Sequence, residues 1–99
     1  MPTACGVGSL NQVFGVLAAL RQSGIGVPAQ MSVVSFDEDE CLAFLDVPVT
    51  SVAMPLAELG SAAVDALIAR IEREPASNVM IRQPMSLIRR ESVARPSGG

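Results

Sequence analysis

Short apolar blocks separated by polar or glycine-rich turns divide the first part of the chain into a strand and a helix. Residues 3–8 form an apolar block with two glycines, which predicts a buried strand. Apolar residues then recur at positions 10, 13, 14, 17 and 20, which predicts a helix over residues 10–22. Ser9 suits the N-cap of this helix and Gly24 its end. Because apolar residues also occupy most of its other side, the helix is expected to be covered on more than one face.

The middle of the chain predicts two further strands and a short helical turn. Residues 31–36 are rich in β-branched residues, which is typical of a central parallel strand. Residues 41–45 form a short apolar patch of one or two helical turns, and residues 50–54 predict another extended segment.

A second helix is predicted over residues 56–73, with Pro55 suited to its first position. Residues 75–78 then predict a turn, and residues 79–90 an extended segment that Pro84 interrupts. One stripe of the helix is apolar, formed by Leu56, Leu59, Ala63, Leu67 and Ile71. Together these elements predict an α/β fold: a partial doubly wound parallel sheet with flanking helices.

Composition excludes several kinds of catalytic site. The 99 residues include no His, Trp or Tyr, and all seven basic residues are Arg. Without His or Lys the chain cannot carry a His-based triad, a P-loop lysine or a Schiff base. Two cysteines do not supply a four-ligand zinc site. We therefore expect no enzyme activity, no metal and no cofactor.

The charge pattern bears on partners and location. Ten acids against seven arginines give a net charge of −3, and the arginines near the C-terminus are interspersed with apolar residues. This pattern is not typical of a nucleic-acid surface. The sequence shows neither a membrane-spanning apolar run nor a signal peptide, and we expect a cytoplasmic protein that does not bind membranes.

One stretch of the sequence has the position of a binding site. Asp37 directly follows the predicted central strand, and ligands of open α/β sheets bind beyond the carboxyl ends of strands. The acids that follow, Glu38, Asp39 and Glu40, are read equally well as a solvated loop. Ser9 holds the matching place after the first strand, where it is either a second ligand contact or a plain N-cap, the latter being favoured by spacing.

Four motifs in order give the chain a family resemblance. They are VPAQMSVVSFDE (27–38), DVPVTSV (46–52), MPLAELG (54–60) and LIRRES (87–92). Over residues 2–94 the chain resembles the C-terminal portion of LacI/GalR-type transcriptional regulators. The resemblance implies part of a periplasmic-binding-protein-like domain, in which two subdomains close on a sugar-like effector.

The resemblance also implies roles for individual residues. It assigns effector contact to Asp37, and to Ser9 by position, although the family usually has Asn-Asp where Ser9 and Leu10 stand and Gly where Ser35 stands. It assigns residues 1–48 to the C-terminal subdomain, 49–75 to a crossover and helix of the N-terminal subdomain and 76–94 to return strands. The tail at 95–99 is expected to be disordered from its terminal position. DNA would be bound only through an N-terminal domain that is missing here, so the chain is expected to be a fragment.

Self-association is expected from the apolar surface that the two helical regions present. The resemblance places both regions at a dimer interface, and the predicted interface residues are Val13, Phe14, Leu17, Cys41, Leu42, Phe44 and Leu45. Two alternatives remain open at this stage: a free-standing interaction module that works by self-association, and a fragment of a sugar-binding transport protein.

Overall fold

The computed structural model describes residues 2–72 and 83–96 of the chain. The elements in chain order are β1 (Ala4–Val7), α1 (Leu10–Gln22), β2 (Ser32–Ser35), a short 3₁₀ helix (Glu40–Ala43), β3 (Thr50–Ala53), α2 (Leu56–Ile71) and β4 (Ser86–Ile88). The α/β fold class predicted from the sequence is confirmed.

The four strands form one open sheet in the order β1-β2-β3-β4. β1 pairs with β2 and β2 with β3 in parallel, so β2 is the central parallel strand that its composition predicts. β4 pairs with β3 in the antiparallel direction, which makes the sheet mixed. The parallel part places the ends of β1, β2 and β3 at one edge, where a ligand site of this fold class is expected.

Residues 90–94 bridge β2 and β3 beside a short ladder. Only two residue pairs join these strands directly, Val34 with Thr50 and Ser35 with Ser51. At the end of this ladder, the Ser92 carbonyl accepts a hydrogen bond from Val33 N–H at 2.9 Å, and Ser92 Oγ accepts one from Thr50 N–H at 2.8 Å while donating to the Val33 carbonyl. Ser92 thus joins the two strands at the end of their ladder.

The core lies between α1 and the sheet and is small. Its fully or nearly buried apolar members are Val7, Val13, Met31, Val33, Leu42 and Val49. Val13 is the one residue of α1 that is buried, and the apolar residues around it are partly buried against the core. The helix therefore packs through one narrow face, and side chains such as Phe14 remain 40% exposed.

The helix boundaries follow the sequence signals closely. α1 spans residues 10–22 as predicted, and Gly24 beyond it has φ +71°, a conformation that favours glycine. α2 begins at Leu56, and Pro55 is its N-cap, one position before the predicted one. The predicted turn at 75–78, residue 73 of the second helix, residues 79–82 of the extended segment and residues 97–99 of the predicted tail lie outside the described residues.

The chain divides into two compact units. One comprises Met1–Ala53 and Ser86–Gly99, and the other Met54–Met85. Within the second unit, none of the residues of α2 is buried, and the predicted stripe exposes Leu56, Leu67 and Ile71 by 60% or more.

Candidate functional site

The carboxyl ends of β1 and β2 bring Asp37 and the start of α1 together. Asp37 Oδ2 accepts a hydrogen bond from the backbone N–H of Leu10 at 3.1 Å. That N–H is one of the helix donors that lack a partner within the helix, and the first turn of α1 contains no acid of its own. Asp37 therefore supplies negative charge to the positive end of α1 from a neighbouring strand.

Ser9 lies beside this contact but does not cap the helix with its side chain. It is the N-cap residue with extended backbone angles, φ −138° and ψ 156°, and its hydroxyl makes no capping hydrogen bond. Ser9 thus occupies the predicted N-cap position, but its side chain does not cap the helix. The side chain of Asp37 instead accepts the hydrogen bond from Leu10 N–H. Ser9, a half-buried residue, lies at the same strand edge as Asp37.

The backbone around Asp37 is fixed by the preceding strand. Ser35 Oγ accepts a hydrogen bond from Asp37 N–H at 3.1 Å and donates one to the Asp37 carbonyl at 2.6 Å. Phe36, 48% exposed, lies over Gly6, where an added Cβ would come within 2.8 Å of the ring. The glycine at position 6 therefore leaves room for the exposed ring of Phe36.

Glu38, the residue after Asp37, forms a bidentate ion pair with Arg90. Arg90 Nη1 donates to Glu38 Oε1 at 3.0 Å and Nη2 to Oε2 at 2.9 Å, and Ser51 Oγ donates to Oε1 at 2.8 Å. The side chains are 12% and 24% exposed for Arg90 and Glu38, respectively. The Arg90 hydrogen bonds, with a further one from Ser51, hold the pKa of Glu38 below its usual range.

Sequence reasoning missed this ion pair. It left Glu38 open as part of a solvated loop and gave Arg90 no role of its own, because the two residues are 52 positions apart and no local pattern links them. The solvated reading suits the two acids that follow, since Asp39 and Glu40 are exposed. Asp39 accepts a hydrogen bond from Cys41 N–H at 2.9 Å, and partial burial raises the pKa of the Cys41 thiol.

The structure divides the seven predicted interface residues into two groups. Val13 and Leu42 are 0% exposed and belong to the core, so they pack within the chain and present no surface to a partner. That part of the prediction is corrected. The other five are at least partly exposed: Phe14, Leu17, Cys41, Phe44 and Leu45.

Three of those five residues line one groove. It has a volume of about 920 Å³ and is bounded by the C-terminal half of α1, the turn after it and residues 45–47. Phe14, Leu17 and Leu45 contribute to its apolar wall, and Arg21 and Asp46 are its charged residues.

Comparison with known proteins assigns the chain to a family. The model of the periplasmic binding protein-like domain matches residues 1–93. The HTH-type transcriptional regulator MalR of Streptomyces coelicolor is 35% identical over 95 residues, which are 95% of this chain and 28% of that protein. A LacI family transcriptional regulator from Mycobacterium smegmatis superposes with a TM-score of 0.81 at 30% identity, over 97% of this chain and 35% of the other. This chain belongs to the periplasmic binding protein-like domain family.

The match locates the chain within its LacI-family relatives. The lac repressor dimer bound to operator and the anti-inducer ONPF matches with a TM-score of 0.79 at 28% identity, over 95% of this chain and 32% of that one. The chain spans 26–28% of the length of the first curated relatives, and its residues 1–93 match the periplasmic binding protein-like domain. Among the described residues, no helix is long and apolar enough to cross a membrane.

Proposed function

We propose that the chain is the effector-binding and dimerisation portion of a LacI-type regulator and that its effector is a sugar-like small molecule. The observation that carries the proposal is the position of Asp37. One carboxylate oxygen is held by Leu10 N–H, and within residues 2–72 and 83–96 the other accepts no hydrogen bond. A carboxylate fixed in this way can accept hydrogen bonds from ligand hydroxyl groups, and the residue before it, Phe36, is an exposed aromatic.

The proposal assigns each segment of the chain to a subdomain of the regulator. Residues 1–48 would belong to the C-terminal effector-binding subdomain, 49–75 to a crossover and a helix of the N-terminal subdomain, and 76–94 to the return strands. Operator binding would reside in a separate DNA-binding domain, since a net charge of −3 does not favour phosphate contact here. The proposed protein acts in the cytoplasm and is not an enzyme.

In the full-length regulator that carries this segment, Asp37→Ala should weaken effector binding by about tenfold or more, as expected for a lost charged hydrogen bond. Asp37→Asn retains an acceptor for Leu10 N–H and should keep the helix start while lowering affinity. Calorimetric titration with a panel of monosaccharides and disaccharides measures both variants. Glu40→Ala, which removes an exposed acid from the same loop, is the control and should bind as the parent does. An unchanged affinity in Asp37→Ala would remove Asp37 from the effector site.

Dimerisation is proposed through the groove that Phe14, Leu17 and Leu45 line. A second copy of the chain is the proposed occupant, because the apolar wall is continuous with the partly exposed face of α1 and a related lac repressor is a dimer. Cys41 and Phe44, the latter 85% exposed, would extend this surface. Burying such side chains is favourable by roughly 25 cal/mol per Å² of apolar area. The entropy lost on association opposes this gain and lowers the affinity.

Phe14→Glu should raise the dimer dissociation constant at least about tenfold, because a carboxylate would have to leave water within an apolar contact. Sedimentation equilibrium of the 99-residue chain measures the change. Phe36→Glu is the matched control, since Phe36 has a similar exposure and lies outside the predicted interface. A parent chain that is monomeric at micromolar concentration, with a thermal transition that does not move on dilution, would refute the proposed interface.

A further inference from the structure

The ion pair of Glu38 and Arg90 joins two segments that are distant in sequence, and one of them carries Asp37. Glu38 is the residue next to Asp37, and Arg90 follows β4 by two positions. The pair is bidentate, with N–O distances of 3.0 and 2.9 Å. Such fork-like pairs fix orientation as well as distance, which a single hydrogen bond does not.

Arg90 is itself held in place by independent contacts. Its Nη1 donates to the Val49 carbonyl at 2.7 Å, and its backbone N–H donates to Thr50 Oγ1 at 2.9 Å. The guanidinium is therefore held by the residue before β3, and the backbone of Arg90 is held by β3 itself. Glu38 in turn accepts a third hydrogen bond, from Ser51 Oγ of β3. The carboxylate of Glu38 is thus tied to a rigid part of the sheet.

Asp37 lies between two such attachments. Ser35 fixes its backbone on the N-terminal side through two hydrogen bonds, and the ion pair fixes the next residue on the C-terminal side. Between them, the side chain of Asp37 reaches Leu10 N–H at 3.1 Å. A chain segment held at both ends has few other conformations, and this lowers the entropy lost when Asp37 makes its hydrogen bonds.

We propose that Glu38 and Arg90 are positioning residues that hold the Asp37 carboxylate against the start of α1, in the orientation in which it meets the effector. The part concerning the effector rests on the proposed function. Neither residue touches the effector in this proposal. Their contribution is that the loop after β2 is already ordered before a ligand arrives.

The backbone N–H of Leu10 gives a direct readout of this role. Its hydrogen bond goes to Asp37, whereas the N–H of Val13 bonds to the Ser9 carbonyl within the first turn of α1. Hydrogen exchange at Leu10 therefore reports the position of Asp37, and exchange at Val13 reports fraying of the helix. Both amides are measured by NMR in the same sample of the 99-residue chain, without any ligand.

Glu38→Gln and Arg90→Lys should each speed exchange at Leu10 by roughly tenfold, as the loss of one hydrogen bond implies, and leave Val13 unchanged. Arg90→Lys retains the positive charge but removes the bidentate guanidinium. Glu38→Gln keeps the shape of the side chain but removes its negative charge. The matched controls are Arg89→Lys and Glu91→Gln, exposed neighbours of the same residue types. They should leave exchange at Leu10 as it is in the parent chain.

A double-mutant comparison separates positioning from general stabilisation. In an Asp37→Ala background, Leu10 has already lost its acceptor, so adding Glu38→Gln or Arg90→Lys should produce no further change. The proposal is overturned if Leu10 exchange is unchanged in the single variants, if Leu10 and Val13 speed up together, or if the effect persists without Asp37. A failed sugar titration would contradict the proposed function and leave these exchange results standing.

Discussion

Replacing Leu42 with alanine is expected to lower the free energy of unfolding by about 3 kcal/mol, within the range found for buried leucines. Leu42 is 0% exposed and is one of six buried apolar residues in the core. Its N–H and carbonyl also bond to Asp39 and Val49, so the packed 3₁₀ turn has little freedom to collapse around the cavity. Domains of this size are stable by only about 5–15 kcal/mol, so the loss is a large share of the total.

Urea unfolding followed by far-ultraviolet circular dichroism measures this loss, since the chain has no Trp or Tyr for fluorescence. Leu67→Ala is the matched control, because Leu67 is 60% exposed on α2, and its change should stay within about 0.5 kcal/mol. Equal midpoints for Leu42→Ala and the parent chain would show that the 3₁₀ turn is not part of the core.

The second large effect is expected for Ser92→Ala, at about 2–4 kcal/mol of lost stability. Ser92 is 0% exposed, and its hydroxyl serves Thr50 N–H and the Val33 carbonyl together. Alanine would leave a buried donor and a buried acceptor unpaired, and each such group costs about 1–3 kcal/mol.

Chemical unfolding and amide exchange at Thr50 test this second prediction together. In the Ser92→Ala chain, the exchange rate of Thr50 N–H should rise more than the exchange rates of the helix amides, because the lost hydrogen bond is local to β3. Ser61→Ala, on the exposed surface of α2, is the control and should change stability by no more than about 0.5 kcal/mol. A Ser92→Ala chain as stable as the parent would mean that another group satisfies the Thr50 amide.

The first helix shows how far local signals carry. Its limits at residues 10 and 22 follow from an apolar spacing between Ser9 and Gly24, and both flanking residues act through backbone geometry alone. The extended segment at 31–36 was equally clear, because β-branched residues without polar alternation favour a strand buried on both faces. The α/β class follows from the order of these elements, whereas the family resemblance rests on the four sequence motifs.

The remaining features depend on contacts that no local pattern encodes. The Asp37 cap on Leu10 spans 27 positions, and the ion pair of Glu38 with Arg90 spans 52. Buried hydroxyls such as Ser92 are also unexpected from composition, since Ser is usually exposed. Sequence reasoning placed Asp37 at the correct strand edge, but only the fold shows which groups hold it there.

The misplacement of Val13 and Leu42 has a physical origin. An apolar helix surface that extends around most of the circumference does not reveal which residue faces the sheet. In α1 that residue is Val13, and its neighbour Phe14 turns outward. The apolar patch at 41–45 has the same ambiguity. Leu42 was predicted to lie on the surface, but it is buried, whereas Phe44 is 85% exposed.

The attachment of residues 90–94 to the centre of the sheet has a consequence for synthesis on the ribosome. β1, α1 and β2 can associate as soon as they emerge, because their contacts are short in sequence. The junction between β2 and β3 is completed by Ser92, which lies 59 residues after Val33 and 42 after Thr50. The nascent chain therefore exposes unpaired strand backbone until residue 92 has left the exit tunnel, and a premature stop near position 90 would remove Ser92 while sparing the described helices and strands.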